Sequence, residues 1–242
     1  MSQIASGTVI YLRISQAEVV VAADSKRTFV KANGITESAS VCKILQAEDV
    51  FFASAGVGGG AVTGFDVGQV ARQAIKGGGT LAEMVRSFQL LLAPPLVRTL
   101  EIIRDSSPMR YKGFLQGAAA QTVFVRIENG SPLVLVSSNT PVEDSDGRIK
   151  LQASFFSCPG TCKLPGTFSI GSSLRADQIE GKTKNFWDRG SIAGVLELMN
   201  VSIEDNLRND GKPIDILRIS KDGAEWVEVK KECNVDEGFS KD

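Results

Sequence analysis

The feature that most constrains how this chain can fold is the grouping of its apolar periodicities. Runs rich in β-branched and aromatic residues come in neighbouring pairs, and the stretches between the pairs switch to a spacing of three or four. Residues 8–14 and 18–23 flank the polar turn Ser15-Gln16-Ala17, which predicts a hairpin. Residues 41–45 and 50–54 form a second extended pair joined by Gln46 to Asp49, so the chain up to Ser54 reads as one antiparallel sheet. A third pair, 122–127 and 133–136, turns at Asn129-Gly130, and a fourth, 214–219 and 224–229, turns at Lys221-Asp222-Gly223.

Helical spacing fills the gaps. Val62, Phe65, Val70 and Ile75 mark a first helix that stops at Gly77-Gly78-Gly79. Thr80-Leu81-Ala82-Glu83 matches a capping box, and Leu81, Met84, Val85, Phe88 and Leu92 then form one apolar face, expected to break or kink at Pro94-Pro95 before residues 96–103 resume. Residues 106–112 read as turns, and 172–187 and 191–206 as two more helices, the second burying Val195, Leu198 and Met199. Hairpins grouped between helices are not the strand-helix alternation of a parallel sheet. The expected class is α+β, with two antiparallel sheets face to face and helices on both outer faces.

A chain of 242 residues, 43% hydrophobic and 23% charged, can bury a core as one domain. Its 27 basic and 28 acidic side chains give no basic field for nucleic acid or an anionic membrane. The first residues lack the charged and apolar regions of a signal peptide, and no apolar run reaches the ~18 residues of a membrane helix, so a soluble cytoplasmic protein is expected. Four cysteines, Cys42, Cys158, Cys162 and Cys233, show no framework spacing and are expected to be reduced. Cys158-Pro-Gly-Thr-Cys162 suggests a redox pair or half a zinc site, but with no histidine and no second pair neither a metal nor another cofactor is expected. The lack of histidine also excludes every nucleophile that depends on an imidazole base.

Three residues remain as candidates for such chemistry. Thr8 opens the first strand and Asp24 closes the second, so an antiparallel turn midway returns Asp24 to the edge where Thr8 lies. Lys43, on the next strand, can reach the same edge. A buried lysine beside a carboxylate can have its charge tuned to assist a hydroxyl nucleophile.

Gly7-Thr8, the run from Val19 through Ala22-Ala23-Asp24-Ser25 to Thr28, Lys43-Ile44, Ala55-Gly56 and Phe168-Ser169-Ile170-Gly171-Ser172 resemble proteasome β-subunits and their bacterial relatives. The resemblance spans most of the chain, with a short insertion between Asp24 and Lys43. It implies a four-layer αββα sandwich of the N-terminal nucleophile hydrolases, with residues 1–7 a leader, 8–230 the domain and 231–242 a polar, loose tail. It implies that cleavage at the Gly7-Thr8 bond exposes Thr8 as nucleophile and amine. Asp24 and Lys43 would set the pair's ionisation, Gly56 would offer its N–H to the oxyanion, and Ser172 would orient the amine and relay its proton. The implied activity is that of a threonine peptidase acting on peptides or unfolded proteins, without cofactor, within a ring of like or unlike subunits. The chain departs from the family at residues 206–212, where Leu207 stands in place of an aspartate and Asp210 in place of a serine. Two further readings therefore stay open: a catalytically silent structural subunit, and an amidohydrolase acting on a non-peptide amide.

Overall fold

The computed structural model describes residues 4–6, 8–30, 36–60, 64–171, 173–207, 210–230 and 233. Two five-stranded antiparallel sheets dominate. The first runs in the order β13-β2-β3-β14-β15, from β13 (Gly166–Ile170), β2 (Ile10–Ile14), β3 (Glu18–Asp24), β14 (Ile214–Ser220) and β15 (Gly223–Glu228). The second is β12-β11-β10-β7-β6, from β12 (Ile149–Cys158), β11 (Ser131–Glu143), β10 (Ala120–Glu128), β7 (Val50–Gly56) and β6 (Ile44–Ala47). A small sheet joins β1 (Ile4–Ser6), β4 (Lys26–Val30) and β5 (Thr36–Ser40), and β8 (Gly59–Gly60) pairs with β9 (Phe65–Asp66). Five α-helices lie among the described residues: α1 (Val67–Lys76), α2 (Leu81–Ser106), α3 (Pro108–Phe114), α4 (Leu174–Lys182) and α5 (Ser191–Asp205).

The period of two along each strand sorts side chains between three apolar clusters. Val19, Val21 and Ala23 of β3 join Ile10, Leu12 and Ile14 of β2 and, from the other sheet, Ala53, Val123, Val125, Val134 and Val136. The intervening Val20 and Ala22 face Val195, Leu198 and Met199 of α5. On the other sheet, Phe52, Phe124 and Leu135 point instead at Phe88, Leu92, Leu96 and Leu100 of α2 and at Ala71 and Ile75 of α1. Each fully buried side chain of this size contributes roughly 1.5–3 kcal/mol. A slip of one residue in β3 would exchange its two faces, so the register with β2, Ile10 opposite Ala23, is strongly specified.

Several expectations need correction. Residues up to Ser54 do not make one sheet: β2 and β3 belong to one large sheet and β6 and β7 to the other, because each pair finds its apolar complement in later strands. The residues after Asp24 form the hairpin of β4 and β5, although residues 31–35 lie outside the described set. The expected first helix starts late, since Phe65 belongs to β9 and Val62 is outside the described residues. Helix α2 has its capping box, with Thr80 and Glu83 bonding each other's backbone N–H, and runs on through Pro94 and Pro95. Each proline removes one backbone bond, but Leu92, Leu96 and Leu100 on one buried stripe hold both halves to the same sheet. The turns expected at 106–112 are largely α3.

The cysteines are paired rather than reduced: Cys42 bonds Cys233 and Cys158 bonds Cys162. Sequence spacing conceals the first pair, whose partners are 191 positions apart yet have Cα atoms 5.5 Å apart. The second closes a tight turn in which Thr161 N–H donates to Ser157 O at 2.9 Å. Cys233 is therefore tied down, while residues 231–232 and 234–242 of the expected loose tail lie outside the described set.

Candidate active site

The site forms where the first hairpin closes. Asp24 N–H donates to Val9 O at 3.2 Å, and Val9 N–H donates back to Asp24 Oδ1 at 3.0 Å, so the carboxylate sits beside the backbone that carries Thr8. Asp24 Oδ2 accepts from the N–H groups of Lys26 and Gly211, at 3.0 and 3.1 Å. Three backbone donors from three segments thus fix its orientation. Lys43, just ahead of β6 in the opposite sheet, has Nζ 4.0 Å from Asp24 Oδ1 and donates to Thr8 Oγ1. Thr8, Asp24 and Lys43 are 7%, 0% and 4% exposed, so the hydroxyl, carboxylate and amine meet out of solvent.

Burial governs the electrostatics. It pushes Lys43 down to about 8, with Arg27 and Lys230 adding repulsion and Asp24 and Asp210 opposing. Burial likewise raises Asp24 above the ordinary carboxylate range, against Lys43 and its three backbone donors. Both shifts favour neutral forms in a dry site. A lysine at about 8 leaves roughly a tenth of the amine neutral at pH 7, enough to take a proton from the hydroxyl it contacts.

The segment carrying Lys43 is clamped from behind. Val41 N–H donates to Ser25 O at 2.8 Å, and Cys42 is bonded to Cys233. Lys230 Nζ donates to Val41 O and lies 3.8 Å from Asp215 Oδ2, in a second buried ion pair. Before Thr8 the chain runs as β1, with Ser6 opposite Thr28 of β4, close to β7 and β8.

Gly56 ends β7 with φ +91°, and a Cβ there would stand 2.3 Å from Ala119 O. The backbone of Ala119 and Ala120 therefore leaves room for no side chain. Ser172 lies outside the described residues. Its predecessor Gly171 packs so closely on Thr8 that a Cβ would be 2.5 Å from Thr8 O, which brings the turn after β13 to the Thr8 backbone. Ser173 N–H donates to Ser202 Oγ at 3.1 Å, anchoring that turn to α5.

Asp210 was missed as a site residue and noted only as a departure from a pattern. It is 2% exposed and interacts electrostatically with Asp24 and Lys43. The signal lay in β14: once Ile214 pairs with Asp24, the residues just before it must lie at the Thr8 edge. Asp205 does not join this cluster; it forms an ion pair with Arg175 at 3.3 Å.

No family model matches the sequence, and no curated protein matches it either. Among solved structures the chain is similar to an Anbu (Gly-1) mutant from Hyphomicrobium sp. strain MC1, at 18% identity and a TM-score of 0.48 over 96% of this chain and 89% of that one.

Proposed function

We propose that this chain is a threonine-type peptidase subunit with the four-layer αββα architecture of the N-terminal nucleophile hydrolases. The observation that carries the reading is the buried contact of Lys43 Nζ with Thr8 Oγ1, backed by Asp24. The resemblance of the Gly7-Thr8 and Ala22-Ala23-Asp24-Ser25 segments supports it, and the three apolar clusters support the layering.

In this reading Thr8 Oγ attacks the Gly7 carbonyl carbon while its proton passes to Lys43, and that proton is delivered to the Thr8 nitrogen as the C–N bond breaks, so that the amide becomes an ester to the hydroxyl. Water then cleaves the ester, releasing residues 1–7 and leaving Thr8 with a free amine. The same hydroxyl next attacks a substrate peptide carbonyl, with the Gly56 N–H stabilising the oxyanion and Ser172 relaying the proton to the departing amine. Water hydrolyses the resulting acyl-enzyme. The working protein is a ring of subunits, with residues 8–230 as its domain.

One observation favours a silent structural subunit instead. The loop at residues 206–212 departs from the family and packs on Asp24 through Gly211. Intact mass and N-terminal sequencing of natively purified protein, with a fluorogenic peptide assay, separate the two. A chain beginning at Thr8 that hydrolyses peptides supports the peptidase; an intact, inactive chain overturns it.

A further inference from the structure

Beyond the residues that the family resemblance supplies, Asp210 is built into the cluster around Thr8. Its carboxyl is seated from its own loop, where Asn206 Nδ2 donates to Asp210 Oδ2 at 2.7 Å and Asp210 N–H donates to Asn206 O at 3.0 Å. The loop is pinned to the nucleophile's hairpin at three points. Gly211 N–H binds Asp24 Oδ2, Ser25 N–H donates to Gly211 O at 3.1 Å, and Lys26 Nζ donates to Leu207 O at 2.6 Å. Asp210 therefore has no freedom to swing into solvent, and its charge must be accommodated where it stands.

Its neighbours come from three other elements. Asp24 at the end of β3 repels its negative charge, whereas Lys26 at the start of β4 and Lys43 ahead of β6 attract it. Burial is the largest influence, and the balance pushes Asp210 up to about 6. Lys43 feels Asp210 in return, as an anion that favours its ammonium form. Two carboxyls and one lysine thus act on one another's charge within one buried group, and sites that interact strongly titrate together.

We propose that Asp210 is a positioning residue that governs how protons are shared between Asp24 and Lys43, and so sets the state of the amine that contacts Thr8. The inference rests on the reading of Thr8 and Lys43 as the reacting pair, but its test does not require turnover. Its consequence is a step in Lys43 behaviour at mildly acid pH, where Asp210 changes charge below the main lysine transition.

The test is an NMR titration of the full chain labelled at lysine Cε, with the Lys43 signal assigned by its loss in Lys43→Met. Wild-type protein should show the main Lys43 transition near pH 8 and a smaller inflection near pH 6. In Asp210→Asn, which keeps an acceptor for Asn206, the inflection should vanish and the main transition should fall by roughly half a pH unit or more. Asp210→Ser should behave alike, which guards against one variant that folds poorly. If the wild-type peptidase turns over, its kcat/KM profile should lose its limb near pH 6 in both variants. Unchanged Lys43 titration curves in both would overturn the inference. A silent wild-type chain would sink the peptidase reading alone, leaving the titration to decide on Asp210.

Discussion

Replacing Lys43 with methionine should produce a protein that is more stable and inactive. A lysine whose proton affinity drops from 10.5 to about 8 is disfavoured in its charged form by about 3 kcal/mol at pH 7, at about 1.4 kcal/mol per tenfold change. Methionine fills nearly the same buried space without that charge. Asp24 is not orphaned, because the N–H groups of Val9, Lys26 and Gly211 still bind it. Losing the bond to Thr8 offsets about 1 kcal/mol, leaving a net gain of about 2 kcal/mol. The pH dependence supplies the sign. The folded-state pKa is depressed, so the unfolded chain holds more protons between about 8 and 10.5 and wild-type stability rises with pH across that window. The lysine's contribution is fully present above 10.5 and is lost as pH falls through about 8. Urea unfolding of both proteins at pH 7 and at about pH 10 measures the difference, since other groups that titrate there are common to both. A wild type more stable than the variant at pH 7, or a gap that does not narrow with rising pH, would refute the reasoning.

Thr8→Ala should fold with stability within about 1 kcal/mol of wild type, keep residues 1–7 attached and hydrolyse no peptide; undiminished turnover would remove Thr8 from the nucleophile's role. Gly56→Ala should lose roughly 2 kcal/mol or more, because φ is +91° and the new methyl would lie 2.3 Å from Ala119 O; thermal unfolding within about 1 °C of wild type would contradict that geometry. Cys42→Ser should destabilise by about 2–5 kcal/mol, since the link it removes spans 191 positions, and should speed amide exchange at Lys43. Equal exchange there would show that the clamp does not hold the lysine.

Much of the architecture was legible locally. The first hairpin, the turn at Asn129-Gly130 and the capping box at Thr80 each follow from a few neighbouring residues, and each forms as read. The closeness of Asp24 to Thr8 was legible too, because a hairpin's register is set by its own turn. Strand β12 was not read as one, although Ile149, Leu151, Ala153 and Phe155 alternate with Lys150, Gln152 and Ser154 as in a half-buried strand. Nor was the path of α2 through two prolines, where propensity lost to a buried stripe.

The sequence by itself thus determined the local elements, the lack of an imidazole base and the candidate pair of Thr8 and Asp24, all set by periodicity, turn chemistry or residue type. Only the tertiary structure decided that β6 and β7 leave the first hairpin's sheet, that Cys233 returns to Cys42, and that Asp210 stands beside Asp24 and Lys43. The physical reason is range. Periodicity records what each residue needs on its own face, whereas the partner that meets the need is chosen by packing between segments up to two hundred residues apart, roughly the whole domain.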